Sequence, residues 1–148
     1  MRNSKITKAI FALAIFGIFI TSYSLYDHYK PMGDSVCNVS EVINCDIVNK
    51  GPYSELFGIP QALLGILFYI FIAALAYLIL SRKPEKSAIF EKLLIYGAGF
   101  GVVYSLSLGV FVYYMLHAIC PMCVASYITV ISISILSLKM KNENPELI

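Results

Sequence analysis

From residue 93 to residue 138 the chain runs for 46 residues without one Asp, Glu, Lys or Arg. A single helix of that length would measure about 69 Å, more than twice the roughly 30 Å hydrocarbon core of a bilayer. The stretch must therefore double back. The place to do so is 117–121, where a histidine, a cysteine and a proline interrupt the apolar run just before a second cysteine. Two shorter uncharged stretches, 9–26 and 56–81, are 18 and 26 residues long. Hydrocarbon offers the backbone no hydrogen-bond partner, so each such segment satisfies its own N–H and C=O groups as a helix. The sequence thus predicts an all-α integral membrane protein, a four-helix bundle in one membrane domain over 1–148. Its spans fall at 6–26, 58–80, 93–116 and 121–138, with a long loop at 27–57. Composition agrees: 14% of residues are charged, against about a quarter in soluble domains.

The first apolar segment follows Arg2, Lys5 and Lys8, the pattern of a secretory signal. It is too long for that, and aromatic rather than small residues follow it, so it reads as a retained helix. Orientation comes from the basic residues. Arg2, Lys5 and Lys8 precede span one, Arg82, Lys83, Lys86 and Lys92 lie between spans two and three, and Lys139 and Lys141 follow span four. Only Lys30 and Lys50 lie on the other side. The excess predicts cytoplasmic termini, with the 27–57 loop and the 117–119 turn outside the cell membrane. The net charge of +2 follows from this topology and gives no indication of nucleic-acid binding.

All four cysteines then share the outer face. Cys37 and Cys45 form a C-x7-C in the loop, and Cys120-Pro121-Met122-Cys123 forms a C-x-x-C at the start of span four. Outside the cytoplasm such cysteines tend toward disulfides. Two inert structural disulfides are one reading, and a zinc site of four thiolates with His117 is another. Against the first, a C-x-x-C closes almost no loop and so constrains the unfolded chain little. Its place at a helix start favours redox chemistry, because free backbone N–H groups and the helix dipole stabilise a thiolate there. Pro121 suits the first helical position, where no N–H is needed.

Cys123 and Tyr127 are four residues apart and share one helix face, with Cys120 one turn above. Gln61, near the outer end of span two, should turn from lipid toward the bundle interior. Together these side chains suggest a pocket with donors for the carbonyls of a lipid-soluble quinone, and Phe68 completes the expected quinone-binding set. Each of Gln61 and Tyr127 could equally bond a neighbouring helix. Gly97, Gly101, Ser105 and Gly109 make a small-residue stripe for close helix packing within the bundle, homodimerisation being the alternative. His117 has no sequence partner and reads as a surface residue near the outer headgroups.

The chain resembles the bacterial branch of the vitamin K epoxide reductase family. The resemblance is carried by the Cys37–Cys45 C-x7-C, by Phe57-Gly58-Ile59-Pro60 opening span two, and by Cys120-Pro121-Met122-Cys123 followed four residues later by Tyr127. It implies a thiol:quinone oxidoreductase that generates disulfides. Cys37 would exchange with a separate thioredoxin-fold, DsbA-like thiol donor, and Cys45 would attack Cys120. Cys123 would then be the thiolate beside a ubiquinone or menaquinone, held by Tyr127, and no metal takes part. Gln61 falls where vertebrate-type members carry an amide. Six residues after the second loop cysteine the family usually has Ser or Thr, whereas this chain has Gly51, with Ser54 nearby. Bacterial members are often fused to a thioredoxin-like domain; here the chain ends at Ile148 without one, so a stand-alone monomer with a separate partner is expected. A DsbB-type oxidase is the rival of similar chemistry, but it carries its C-x-x-C in the first outer loop. A structural membrane protein with inert disulfides is the rival of another class, and its disulfides should resist thiol reductants.

The orientation is open to direct labelling. After reduction, a membrane-impermeant maleimide should modify loop cysteines only from outside the cell. Labelling of Cys37 from the cytoplasmic side alone would reverse the topology.

Overall fold

The computed structural model describes residues 4–82 and 84–143. Arg2 and Lys83, two of the basic residues used to orient the chain, lie outside the described residues. Helix α1 spans Ser4–His28, α2 Cys45–Asn49, α3 Gln61–Ser81, α4 Pro84–Leu116 and α5 Pro121–Glu143. Strands β1 (Glu55–Leu56) and β2 (Ile59–Pro60) form a small hairpin ahead of α3. The four long helices are each apolar and long enough to cross a bilayer. They pack in a closed ring, α1 against α3, α3 against α4, α4 against α5, and α5 back against α1. Phe16, Phe19, Leu67, Ile70, Phe100, Val103, Ile128 and Ile135 point outward along all four helices. In water that surface would be prohibitive, and in lipid it is the expected outer coat. The protein is a multi-pass membrane bundle.

Small residues set how closely the helices approach. A side chain at Gly101 would strike the ring of Phe68, and one at Gly109 would sit 2.9 Å from Tyr127. Gly97 lies against Phe71 and Ile72. The stripe on α4 is thus used inside the bundle, against α3 and α5. On α1, Gly17 leaves room for the Tyr69 ring from α3. The Tyr69 hydroxyl crosses to α5 and donates to the Ser126 carbonyl at 2.7 Å. Ile10, Ala14, Ile72, Ala76, Ile79, Leu94, Ala98, Ile133 and Met140 fill the core around it.

Three boundaries differ from the sequence reading by three residues or more. Helix α4 begins at Pro84 rather than at 93, because charged residues end an apolar run but not a helix that projects beyond the hydrocarbon. There the buried Ser87 donates to Glu91 at 2.9 Å. Helix α5 likewise continues past 138 to Glu143. Helix α3 begins at Gln61 rather than 58, because the preceding residues fold back as the hairpin. Phe57 (φ 53°) and Gly58 (φ 80°) occupy its turn in the left-handed region that tight two-residue hairpins require. The Gln61 N–H is then met by the Ser54 carbonyl at 2.9 Å, since Pro60 has no capping side chain.

The loop between α1 and α3 is fastened at two points. At the first, Ile43 bridges Ile119: the Ile119 N–H donates to the Val42 carbonyl at 2.7 Å, and the Asn44 N–H to the Ile119 carbonyl at 3.1 Å. Asn44 also caps α2, its side chain accepting from the Ile47 N–H. At the second, the Asp46 carboxylate gathers the Lys50 ammonium, the Gly33 N–H at 2.6 Å and the Asn38 amide at 2.6 Å. Lys50 also donates to the Pro31 carbonyl at 3.1 Å. Burial alone would make Asp46 a weaker acid. The Lys50 hydrogen bond, the Gly33 and Asn38 donors and the Lys50 charge outweigh that and hold it below the ordinary 3.8.

A carboxylate whose acidity is raised by folding stabilises the folded loop above its unfolded pKa and loses that contribution as pH falls through the folded value. Asp46→Asn leaves Lys50 nearly buried beside a neutral group, a loss of about 3 kcal/mol. If loop opening limits access, reduction of the Cys37–Cys45 pair by a water-soluble phosphine should quicken about 10²-fold at pH 7. The gap between variant and wild type should close as pH falls below 3.8. A gap that stays constant with pH would show that the Asp46 charge does not fasten the loop.

Candidate redox site

The two fastenings deliver the loop cysteines to the start of α5. Cys45 follows the bridge residue Ile43 by two positions and Cys120 follows Ile119 by one, so pairing Ile43 with Ile119 sets their sulfurs side by side. The Cys120 Sγ lies 3.2 Å from the Cys45 Sγ. Cys37 and Cys45 are joined as a disulfide, and Cys120 and Cys123 are free thiols. Cys45 is wholly buried, whereas Cys37 keeps 9% of its surface. The exposed side chains of Val36 and Val39 flank it. Of the loop pair, Cys37 is the less buried.

The C-x-x-C sits as its sequence implied. Pro121 opens α5, and Cys120 precedes it in the capping position. The Cys123 N–H points to the Cys120 Sγ at 3.4 Å, and the Val124 N–H donates to the Cys120 carbonyl at 3.0 Å. A hydrogen bond from the Cys123 thiol is the largest influence on Cys120, and the Cys123 and Met122 N–H groups add to it. Against burial and the negative charge of Asp27, they hold the Cys120 thiol below the ordinary 9.0. A free N–H cluster at a helix start stabilises a thiolate in this way.

Beneath the cysteines lies a narrow, partly open cleft. Cys123, Tyr127 and Gln61 line it, with Asn49 and Ser54 from the loop and Leu108 and Val112 from α4. Gln61 is turned inward by Tyr104, whose hydroxyl donates to its Oε1 at 2.5 Å. Tyr127 lines the cleft, and its hydroxyl makes no hydrogen bond to any described residue. Phe68 is elsewhere: its ring packs edge-on to Tyr69 at 5.4 Å and covers Gly101, in the core rather than on the cleft wall. The wall is mostly apolar with a few convergent polar groups, the make-up of small-molecule sites. Among the described residues no group of three His, Cys, Asp or Glu side chains is placed to hold a metal ion.

Ser54 and Gly51 resolve into one turn. The Ser54 hydroxyl donates to the Gly51 carbonyl at 2.7 Å while its residue borders the cleft. A side chain at position 51 would collide with the Ile47 carbonyl and come within 3.4 Å of Leu116. In this backbone the turn has space for a hydroxyl at 54 and none for one at 51.

Several residues of the site had no sequence signal. Asn49 accepts a contact from the Cys123 thiol at 3.8 Å through its Oδ1, and its amide donates to Asp27 at 3.5 Å. His28 contacts the Asn49 carbonyl through Nδ1 and Glu55 through Nε2 at 3.2 Å. Asp27 is fully buried at the end of α1. The one hint was position, since Asp27 ends the uncharged run of the first span.

A family profile described as the Vitamin K epoxide reductase family matches residues 8–138, from the first span through the fourth. Comparison with individually curated proteins gives no match. The match covers both cysteine pairs, the cleft and every membrane helix. With four apolar helices and two cysteine pairs in contact at one end, the chain belongs to the vitamin K epoxide reductase family and is a membrane oxidoreductase.

Proposed function

We propose that the protein is a thiol:quinone oxidoreductase that generates disulfides at the outer face of the membrane. The observation that carries this reading is the 3.2 Å approach of Cys45 to Cys120, directly above a cleft lined by Cys123 and Tyr127. A thioredoxin-fold dithiol attacks Cys37, the less buried of the loop pair, and Cys45 leaves as a thiolate. Cys45 then attacks Cys120, and the electron pair of the broken Cys120–Cys123 bond goes to Cys123. Cys37, released when the partner's second thiol closes its own disulfide, attacks Cys45 and frees Cys120. The loop disulfide is restored, the partner's dithiol is oxidised, and two electrons rest on Cys120 and Cys123.

A quinone in the cleft is the acceptor, taking two electrons and two protons and so restoring the Cys120–Cys123 disulfide. Cys123 is the sulfur on the cleft wall, and Tyr127 supplies a phenol O–H toward the oxygen that gains charge. In a site with little water such a donor is worth more than in solvent. Gln61, held by Tyr104, offers its amide N–H groups to the same space. Phe68 acts from behind, supporting the helix contact that shapes the cleft.

Tyr127→Phe keeps the ring on Gly109 and removes the donor. Losing one preorganised donor should slow quinone reduction about 10²-fold. The loop pair should keep exchanging with the thiol donor, and the Cys120–Cys123 dithiol should accumulate. Turnover at the wild-type rate would leave the phenol no part in the reaction.

A further inference from the structure

Asp27 is fully buried, yet its Oδ1 meets no hydrogen-bond partner among the described residues. No described Lys or Arg side chain pairs with it. Its Oδ2 accepts from the Ser35 hydroxyl at 2.9 Å and from the Asn49 amide at 3.5 Å. Both neighbours donate, which is the arrangement around a carboxylate. Ser35 is itself buried, and its Oγ lies 3.3 Å from the Cys37 Sγ. A buried polar atom without a partner is costly, so a group left this way calls for an explanation in the site's work.

Counting hydrogens at the other oxygen, Oδ2, shows what the group can do. Ser35 has a single hydroxyl proton, and it is given to Asp27. Toward Cys37 the Ser35 oxygen can only accept. In the disulfide Cys37 has no hydrogen to give, so this contact is unfilled. Reduction gives Cys37 an S–H, and the chain S–H to Ser35 Oγ, then O–H to Asp27, is complete. A Cys37 thiolate would break that chain and place a second anion near a buried carboxylate, which disfavours the charged sulfur.

We propose that Ser35 and Asp27 hold Cys37 as the thiol when both loop cysteines are reduced, which leaves Cys45 as the thiolate of that pair. Ser35 touches the reacting sulfur, and Asp27 is a positioning residue acting through it. The inference rests on the relay proposed above and applies when the partner's second thiol closes before Cys45 has attacked, so that both loop cysteines are released. In the step so favoured, a sulfur–sulfur bond forms between Cys45 and Cys120, the Cys120–Cys123 bond breaks, and its electron pair passes to Cys123. The Cys37 proton stays where it is. Other titratable groups nearby are engaged elsewhere or face away. On α2 Asp46 pairs with Lys50, His28 faces the Asn49 carbonyl and Glu55, Asp34 is exposed, and Cys120 at the start of α5 faces Cys45.

The test is the pH dependence of iodoacetamide alkylation at Cys37 in the reduced full-length protein, read peptide by peptide with mass spectrometry. Asp27→Asn should move the Cys37 midpoint down by about one pH unit, the scale of removing a like charge nearby. The Cys45 midpoint should not fall with it. Ser35→Ala should lower the Cys37 midpoint as well, and Ser35→Thr, which keeps a hydroxyl, should restore it. A purely structural role would raise alkylation at all pH values without moving the midpoint. An unmoved or raised Cys37 midpoint overturns the proposal. If Asp27→Asn does not fold, the Ser35→Ala and Ser35→Thr pair decides alone. The readout needs neither quinone nor thiol donor, so a wild type inactive toward quinones would overturn the proposed function and leave these midpoints to judge the proton's position.

Discussion

Two backbone hydrogen bonds, from Ile119 to Val42 and from Asn44 to Ile119, join the loop between the first two membrane helices to the turn between the last two. Everything redox-active in the protein depends on them. Cysteines 75 positions apart in the chain come to 3.2 Å because each lies within two residues of this bridge. Backbone pairing suits the task. It fixes position without side-chain rotamers, and neither sulfur is needed to hold the contact. The chemistry can therefore change the bonding of Cys45 and Cys120 while the scaffold between them stays the same. Asp46 and Lys50 secure the other side of the loop, so Cys37 is presented next to a buried Ser35 rather than on a free strand.

Below this polar cap the bundle obeys a different solvent. Where lipid surrounds the helices, contact between them comes from close packing and a few internal hydrogen bonds rather than from expulsion of water. The glycines of α1 and α4 accept the large rings of Tyr69, Phe68 and Tyr127. That arrangement links packing to the site. Tyr127 rests on Gly109, so the phenol that borders the cleft is positioned by the same stripe that draws α4 and α5 together.

What was legible in the sequence is what hydrocarbon dictates. Uncharged runs of 18, 26 and 46 residues leave four helices as the only economical solution, and Pro121 marks where the last begins. The C-x-x-C and Tyr127 follow from helical periodicity once that start is known. Beyond the apolar runs the signal fades. Helix α2 and the hairpin carry no period of their own and form because the loop is tied down at both ends. The start of α4 at Pro84 was hidden by charges that a helix tolerates outside the membrane. Asn49, Asp27, Ser35 and Tyr104 act through contacts made across the fold, which no spacing in the chain encodes. Phe68 and Gln61 show the same limit within one helix. Both are set on α3, but Tyr104 turns Gln61 to the cleft while Gly101 takes Phe68 into the core.

The central claim is that electrons cross from the loop pair to the helix pair through Cys45 and Cys120. It is tested most directly by Cys123→Ala, which leaves Cys120 without a partner in the helix pair and so halts the exchange at the link between the two pairs. With the loop pair oxidised and no dithiol added, the Cys120 thiolate attacks Cys45 and displaces Cys37. Alkylation of the freed Cys37 should trap a covalent link that joins the Cys45 and Cys120 peptides in non-reducing mass spectrometry. A link between Cys37 and Cys120, or no link at all while Cys120 stays a free thiol beside the loop disulfide, would contradict the account.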